Sequence, residues 1–248
     1  MKTSVTGVCF ADPSLSAEAE AIAGRLGLPV IAPGPELMLS VRPDGLFITR
    51  GGSAFSVDFS SYLRRAAGNN IGGELIVRAA KPDTSASGRI AVDCTAGFGE
   101  DSFILAAAGY TVIMFEHNEV TAELLSDGLR RGRSDPATRE ICSRMELRRA
   151  DSAAELARLG FIPDVVYLDP MFPQRKKSGA VKKKARFLGE LDGPCADGDA
   201  LLGAALATGA RRIIVKRPRG GEYLAGRKPD YSLAGDTVRY DCFTGRTE

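Results

Sequence analysis

From Arg89 onward, short runs of apolar residues alternate with stretches of helical periodicity. Apolar runs at 90–92, 111–115 and 165–168 have strand length, and longer segments such as 120–131 have a helical pattern. Parallel strands need crossover connections of this length, and they are buried on both faces, which explains their continuous apolar runs. The alternation predicts a doubly wound α/β domain with a mostly parallel sheet.

The first part of the chain has a different pattern. Short strand-like segments at 4–10, 37–41 and 46–49 and one helical segment are separated by prolines and glycines. This mixture predicts a small α+β subdomain over residues 1–70, followed by the main domain over residues 71–248. A chain of 248 residues is long enough to bury a sizeable core.

A glycine-rich turn, VDCTAGFGED at 92–101, ends one predicted strand and opens a helix. Gly97 and Gly99 allow a tight turn and the close approach of a ligand, as in nucleotide-type cofactor sites. We predict that both glycines, and Asp93 at the end of the strand, contact the cofactor. A dinucleotide site requires a third glycine where this chain has Ser102, so the fingerprint of a nicotinamide enzyme is absent. The turn favours a cofactor without a pyrophosphate.

Carboxylates near the predicted strand ends suit S-adenosylmethionine, which carries a ribose diol, an amino-acid tail and a sulfonium. Glu116 ends the next strand, where its two oxygens can accept both ribose hydroxyls. His117, the only histidine, is expected beside the adenine, whose edge is expected near positions 151–152. Glu100 and Asp101 are expected at the methionine end of the cofactor.

The apolar run at 165–168 leads into the turn DPMFP at 169–173. An exocyclic base amine is a poor nucleophile because its lone pair is delocalised into the ring, so the enzyme must hold and align the nitrogen. Asp169 can accept a hydrogen bond from the amine, the Pro170 carbonyl can accept the second N–H, and Phe172 can stack on the flipped base. Direct attack on the methyl group needs no covalent enzyme intermediate, so positioning supplies most of the catalysis.

A basic segment follows this turn at 174–186. It carries seven Lys and Arg residues and no acidic residue, so the remainder of the chain has a net charge of 2 − 7 = −5. We predict a loop that binds RNA phosphates, and a second basic cluster around the strand at 212–216 extends the same surface. The predicted RNA contacts are Arg175, Lys176, Lys177, Lys182, Lys183, Lys184, Arg186, Lys216 and Arg217.

Cysteine usage and hydropathy indicate the compartment. The five cysteines are an odd number without a CxxC pair, which argues against a disulfide framework and against a zinc site. No apolar run approaches the roughly 20 residues of a membrane span, and the apolar run near the N-terminus is too short for a signal peptide. We expect a soluble, cytoplasmic protein with neither a metal nor a membrane partner.

Together these motifs resemble a bacterial family, ribosomal RNA small subunit methyltransferase J, which methylates guanine N2 in 16S rRNA. The resemblance covers roughly residues 55–245. It is carried by VDF at 57–59, DCTAGFGED at 93–101, Glu116, LLSDGL at 124–129, VVYLDPMFP at 165–173, KS at 177–178, VKK at 181–183 and VKRP at 215–218. The DPMFP turn followed by the basic segment is its most specific part.

The resemblance implies a class I S-adenosylmethionine-dependent methyltransferase fold, with 16S rRNA or the small ribosomal subunit as partner. It implies methyl transfer to the exocyclic N2 amine of a specific guanosine near the 3′ end of that RNA. The implied S-adenosylmethionine contacts are Glu100, Asp101, Glu116, His117, Ser152, Ala153 and Asp169. The family often has Arg at the positions of Glu100 and His117, so the chain departs from its pattern there.

Two alternatives stay open on the sequence. An amino-methyltransferase acting on another nucleic-acid or protein amine would be favoured by an Asn-Pro-Pro-aromatic turn, whereas this chain has Asp169 and Met171. A non-catalytic rRNA-binding assembly factor could use the same scaffold, and the presence of Asp169 and Glu116 argues against it. A methyl-transfer assay separates these hypotheses.

Overall fold

The structure, a computed structural model, describes residues 5–81, 88–170, 181–192 and 198–245. The strands are β1 (Val8–Phe10), β2 (Met38–Arg42), β3 (Gly45–Arg50), β4 (Ser53–Phe55), β5 (Ile90–Asp93), β6 (Thr111–Glu116), β7 (Met145–Arg149), β8 (Val165–Leu168), β9 (Arg212–Pro218), β10 (Tyr231–Ala234) and β11 (Val238–Thr244). The α-helices are α1 (Ser16–Leu26), α2 (Leu63–Ala66), α3 (Gly68–Ile71), α4 (Leu75–Ala80), α5 (Glu100–Ala107), α6 (Glu119–Ser134), α7 (Arg139–Cys142), α8 (Ser152–Leu156), α9 (Val181–Asp192) and α10 (Gly198–Ala207).

Seven strands form the main sheet, in the order β10-β11-β9-β8-β5-β6-β7. The pairs from β9 to β7 are parallel, whereas β11 is antiparallel to both of its neighbours. The strand order reverses direction between β5 and β8, and in open α/β sheets ligands bind at the carboxyl ends of the strands at such a point. The predicted mostly parallel α/β sheet is confirmed; the short strand β10 was not predicted.

The first four strands form a separate sheet in the order β1-β2-β3-β4, in which β1 and β2 are parallel and the other pairs antiparallel. This sheet packs on α6. Leu46 and Ile48 of β3 belong to the same buried cluster as Leu124 and Leu129 of α6. The two sheets therefore share one core, and the boundary between residues 70 and 71 stays a prediction.

Two helices at the carboxyl edge of the main sheet begin at side chains that cap them. Asn118 accepts hydrogen bonds from the backbone N–H groups of Val120 and Thr121 at the start of α6. Asp151 accepts one from Ala154 at the start of α8. Such caps satisfy N–H groups that have no partner within the helix, so they fix where α6 and α8 begin.

Helix α9 corrects a sequence prediction. The basic segment was predicted to be a loop over 174–186, but α9 begins at Val181, so the prediction is wrong for 181–186. The helix forms because Phe187, Leu188 and Leu191 recur at helical spacing and pack on the core. The charges before this apolar stripe led the sequence analysis to miss it.

Four cysteines, Cys9, Cys94, Cys142 and Cys242, are buried and unpaired by disulfides. Burial raises the pKa of the Cys94 thiol well above its ordinary value, so the thiol is inert at neutral pH. Within the described ranges, no helix has both the length and the apolar character needed to cross a membrane. The same ranges contain no group of three or more His, Cys, Asp or Glu residues arranged to hold a metal ion.

Candidate active site

The glycine-rich turn connects β5 to α5. Gly97 and Gly99 have φ angles of 53° and 76°, in the left-handed region that favours glycine. A Cβ atom at Gly99 would also lie 2.8 Å from Leu125 Cδ1 and 3.3 Å from the Phe59 ring. Position 99 therefore requires glycine for space as well as conformation, and α5 begins directly after it, at Glu100.

Asp93 holds the two ends of this turn together. Its side chain is buried, and it accepts hydrogen bonds from Thr95 N at 3.0 Å and from Ser102 Oγ at 2.6 Å. The hydrogen bonds lower the pKa of Asp93, but burial, with a smaller contribution from the charges of Asp101 and Asp169, outweighs them and raises that pKa to about 7. The structure thus gives Asp93 a role in shaping the turn, and its direct contact with a cofactor stays a prediction.

Glu116 ends β6 beside the glycine turn and is 5% exposed. Its Oε2 accepts a hydrogen bond from Gly97 N at 2.9 Å, and its Oε1 accepts one from Asn118 N at 2.8 Å. Each carboxylate oxygen has two lone-pair positions, so Glu116 can accept two ribose hydroxyls while these backbone contacts persist. His117 Nδ1 lies 3.6 Å from Glu116 Oε1, and the imidazole is largely exposed.

The start of α8 lies next to Glu116, because the Ala150 N–H donates to the Glu116 carbonyl at 3.1 Å. Ser152 and Ala153 form the first turn of α8 and are partly exposed. The structure therefore brings the positions predicted for the adenine edge to the same strand end as the predicted ribose carboxylate.

Asp169 follows β8 on the other side of the glycine turn. Its backbone N–H donates to Thr95 Oγ1 at 2.6 Å, and Cys94 N donates to the Tyr167 carbonyl at 2.9 Å. The Asp169 side chain is 39% exposed, and Pro170 is buried. The acceptor turn and the cofactor turn are thus in direct contact; Phe172 lies outside the described residues.

A partly buried ion-pair cluster links the two turns. Lys216 Nζ on β9 lies 2.7 Å from Asp101 Oδ2 and 3.0 Å from Asp169 Oδ2. Tyr167 Oη donates to Asp101 Oδ2 at 2.6 Å. Burial opposes the charge of Lys216, but Asp101 and Asp169 outweigh it and hold the Lys216 pKa well above its ordinary value. Lys216 is therefore a cation between two carboxylates.

Sequence analysis missed several residues of this site. Thr95 and Tyr167 were read as part of the turn and the strand, without a role. Arg65 of α2 pairs with Glu100 at 2.6 Å and with Glu74 at 2.8 Å, so it places the first turn of α5 against the N-terminal region. No local pattern marks most of these partners, because the contacts of Arg65 with Glu100, Tyr167 with Asp101 and Thr95 with Asp169 join residues 35, 66 and 74 positions apart.

The predicted RNA-binding residues lie in several environments. Arg186 of α9 is more than half exposed and pairs with Glu190 at 3.0 Å. Arg217 is buried, and its Nε donates to the Glu222 carbonyl at 2.7 Å. Arg175, Lys176, Lys177 and the side chains of Lys182, Lys183 and Lys184 lie outside the described residues. RNA binding by this set stays a prediction.

A cavity of about 490 Å³ lies between α8 and α10, lined by residues that include Leu156, Phe161 and Ala204. It is close to the loops that precede β8 and β9, at the amino edge of the sheet. Its lining contains none of the predicted site residues. We place the site at the carboxyl edge, because the titratable groups and the glycine turn converge there.

The residues at the carboxyl edge fit S-adenosylmethionine. Glu116 offers acceptors for a ribose diol, and Glu100 and Asp101 place negative charge where the cationic methionine end is expected. A doubly wound sheet whose glycine turn lies beside a strand-end carboxylate is typical of class I S-adenosylmethionine-dependent methyltransferases. The family model SAM_MT, which describes SAM-dependent methyltransferases, matches residues 23–245. The predicted cofactor and enzyme class are confirmed.

The chain belongs to the ribosomal RNA small subunit methyltransferase J family. It is 42% identical over 232 residues to the member from Pseudomonas aeruginosa PAO1, covering 89% of this chain and 87% of that one. It is 41% identical over 194 residues to the member from Neisseria meningitidis, covering 77% and 76% of the two chains. A crystal structure of a SAM-dependent methyltransferase from Neisseria gonorrhoeae superposes with a TM-score of 0.77 at 32% identity, covering 98% of this chain and 97% of that one.

Proposed function

We propose that this enzyme, acting in the cytoplasm, transfers a methyl group from S-adenosylmethionine to the exocyclic N2 amine of a guanosine in 16S rRNA. The relatives at 41–42% identity are named for methylation of small-subunit ribosomal RNA, which supports the substrate class. The observation that carries the proposal is the position of Asp169. Its backbone is hydrogen-bonded to Thr95 of the cofactor turn at 2.6 Å, and its carboxylate is partly exposed beside that turn.

The chain's own carboxylates orient the cofactor in this proposal. Glu116 accepts the ribose hydroxyls, Asp101 and Glu100 face the methionine end, and Ser152 and Ala153 border the adenine. Bound S-adenosylmethionine supplies an activated methyl group on a sulfonium. The fixed carboxylates hold that end of the ligand in one orientation, which lowers the entropic cost of a productive encounter.

The acceptor turn aligns the nucleophile. Asp169 accepts one N–H of the guanine amine and the Pro170 carbonyl accepts the other, while Phe172 stacks on the base. These contacts would direct the nitrogen lone pair at the methyl group, and the bound cofactor would supply that methyl group together with a neutral sulfur as the leaving group. The extra proton on nitrogen then leaves to solvent, so no side chain is modified during turnover.

Electrostatics supports an RNA substrate. The segment 174–186 carries seven positive charges in a chain whose remainder is net negative. It directly follows the acceptor turn, and Arg186 is exposed on α9. Cations concentrated beside the acceptor turn attract a phosphate backbone, so binding is expected to weaken as salt rises.

The test is transfer of labelled methyl from S-adenosylmethionine to small ribosomal subunits purified from cells that lack this activity. We expect labelled N2-methylguanosine with the wild-type enzyme and its loss with Asp169→Ala. The matched control is Glu140→Ala, because Glu140 is 84% exposed on α7, which leads into the amino end of β7. Label on another base or on protein would support the other amino-methyltransferase. Cofactor binding without transfer to any form of RNA would support an assembly factor.

A further inference from the structure

We propose that Lys216 is a positioning residue for methyl transfer. In this proposal its ammonium fixes Asp101, at the methionine end of the cofactor, relative to Asp169, at the acceptor amine. The inference rests on the proposed function, because it takes Asp169 as the group that touches the acceptor. It replaces the prediction that Lys216 contacts an RNA phosphate.

The geometry joins three elements at one atom. Lys216 Nζ comes from β9, Asp101 from the first turn of α5, and Asp169 from the residue after β8. The two distances, 2.7 Å to Asp101 Oδ2 and 3.0 Å to Asp169 Oδ2, are those of charge-assisted hydrogen bonds. A change in the position of Nζ therefore moves both carboxylates.

The surroundings of Lys216 do not favour a phosphate contact. Its side chain is 23% exposed, and an ammonium between two carboxylates belongs to a group with a net charge of −1. Such a group repels a phosphate. Arg219, near the end of the same strand, is exposed and is better placed to meet one.

Lys216 completes the anchoring of Asp169. Thr95 Oγ1 fixes the Asp169 backbone at 2.6 Å, whereas the side chain is 39% exposed and is held by Lys216. Tyr167 donates to the same Asp101 oxygen that Lys216 contacts. A carboxylate has two lone-pair positions on each oxygen, so Asp169 can accept from Lys216 and from a substrate amine together.

Other charged and titratable groups lie near this cluster on the neighbouring elements. They are Asp93 of β5, Tyr167 of β8, Arg217 of β9, Tyr240 of β11 and Arg65 of α2. Most of these groups are acidic. When the ammonium is removed, the nearby carboxylates disfavour the ionised form of Asp169. Asp169 should then ionise only at a higher pH.

The test compares Lys216→Met, Lys216→Arg and the control Lys228→Met by steady-state kinetics on unmodified small subunits. The pH is varied from about 5 to about 9, and salt is varied in parallel. For Lys216→Met we expect kcat to fall about 100-fold, the cost of a displacement of about 1 Å, with KM for subunits within about threefold of wild type. We expect the acidic limb of its pH profile to move upward by about one unit.

Lys216→Arg keeps the cation but changes the donor geometry. We expect this variant to keep the wild-type acidic limb and to lose about tenfold in kcat or less. Lys228→Met removes an exposed charge outside the site and outside the basic segment, so it should leave kcat, the pH profile and the salt dependence of subunit binding unchanged. Thermal unfolding checks that each variant is folded; if Lys216→Met does not fold, Lys216→Arg carries the test through its kcat and KM.

Two outcomes overturn the proposal. If either Lys216 variant raises KM for subunits and lowers the salt slope while kcat stays at the wild-type value, Lys216 is a phosphate contact. If Lys216→Met and Lys216→Arg lose kcat equally and the acidic limb does not move, Lys216 has only a structural role. Failure of the proposed function is seen separately, as absence of transfer by the wild-type enzyme.

In that case ligand binding still tests Lys216. Calorimetry would give the affinities of S-adenosylmethionine, which carries a sulfonium, and S-adenosylhomocysteine, which is neutral at sulfur. Loss of a nearby positive charge should raise the preference for the sulfonium form by about threefold or more in Lys216→Met. An unchanged ratio would show that Lys216 does not lie near the reacting sulfur, and would overturn its positioning role.

Discussion

The carboxylates of the active site differ in their charge environment from those where the first sheet packs on α6. At the packing interface, Glu123 lies between Arg25 at 2.5 Å and Arg149 at 2.6 Å. Burial alone would raise the pKa of Glu123, but hydrogen bonds from the two arginines outweigh it and lower that pKa. In the active site, by contrast, burial raises the pKa of Asp93 to about 7.

The number of cations per carboxylate also differs between the two regions. Asp127 on α6 also contacts two arginines, Arg130 at 2.6 Å and Arg131 at 2.8 Å. In the site, the single ammonium of Lys216 lies between two carboxylates. Excess cations at the interface stabilise the fold, whereas excess negative charge in the site suits a ligand with a sulfonium and an ammonium. Perturbed titration at such a cleft is typical of functional sites.

The largest effect should come from Asp169→Ala. We expect kcat to fall about 100- to 1000-fold, as when one preorganised polar contact to the reacting group is lost. The free energy of unfolding should change by less than about 1 kcal/mol, because the side chain is 39% exposed. Asp169→Asn, which keeps one acceptor oxygen, should lose less. A strongly destabilised Asp169→Ala protein would show that this carboxylate stabilises the fold, like those at the packing interface, and does not serve the reaction alone.

The second prediction concerns Asp93→Asn, which can keep the contacts with Thr95 and Ser102. The folded pKa of about 7 lies above the unfolded value of roughly 4, so the folded protein binds more protons between these values. The free energy of unfolding of the wild type should therefore fall as pH rises from about 4 to about 7. The variant should lack this decline and gain about 2 to 4 kcal/mol over wild type at about pH 8.

Denaturant unfolding at several pH values measures this difference. Below about pH 3 the two proteins should have similar stability, because Asp93 is then protonated in both the folded and the unfolded state. If the wild-type free energy of unfolding rose relative to that of the variant as pH increased across this window, ionisation of the buried Asp93 carboxyl would not destabilise the fold, and the prediction would be wrong.

Local patterns made much of the main domain predictable. The strands from β5 to β8 were found because parallel strands are apolar on both faces, and the turn was found because Gly97 and Gly99 need a left-handed backbone. Glu116 and Asp169 were placed correctly at strand ends on either side of that turn. Their proximity follows from the general topology of such sheets, not from any property of the two residues alone.

The remaining features depend on contacts between distant parts of the chain. Lys216 and Asp101 are separated by 115 residues, and Arg25 and Glu123 by 98, so no local window contains either pair. Lys216 was therefore interpreted by its charge alone. The short strand β10 was missed because its pairing with β11, rather than a strong apolar pattern, defines it.

The third prediction tests the interface directly. Glu123→Gln removes the charge that two arginines share, and it should lower the free energy of unfolding by about 1 to 3 kcal/mol, with kcat unchanged. Because the pKa of Glu123 is lowered in the folded state, its contribution is present above the unfolded value and is lost as pH falls through the folded value. Glu140→Gln is the matched control, since Glu140 is 84% exposed.

The smallest expected effect is that of Arg50→Met. Arg50 of β3 pairs with Glu190 of α9 at 2.9 Å, so this contact also joins the first sheet to the rest of the molecule. Both partners are partly exposed, at 45% and 22%, and ion pairs in such positions contribute about 1 kcal/mol or less. Denaturant unfolding should therefore show a loss below that of Glu123→Gln.

Salt separates the two contacts further. The difference between Arg50→Met and wild type should largely disappear at about 1 M salt, where the screening length is about 3 Å. The difference for Glu123→Gln should largely persist, because Glu123 has only 7% of its side chain exposed between its two arginines. Arg50→Met could instead be as destabilising as Glu123→Gln and equally insensitive to salt. In that case burial of the carboxylate would not explain why the Glu123 contacts stabilise the fold.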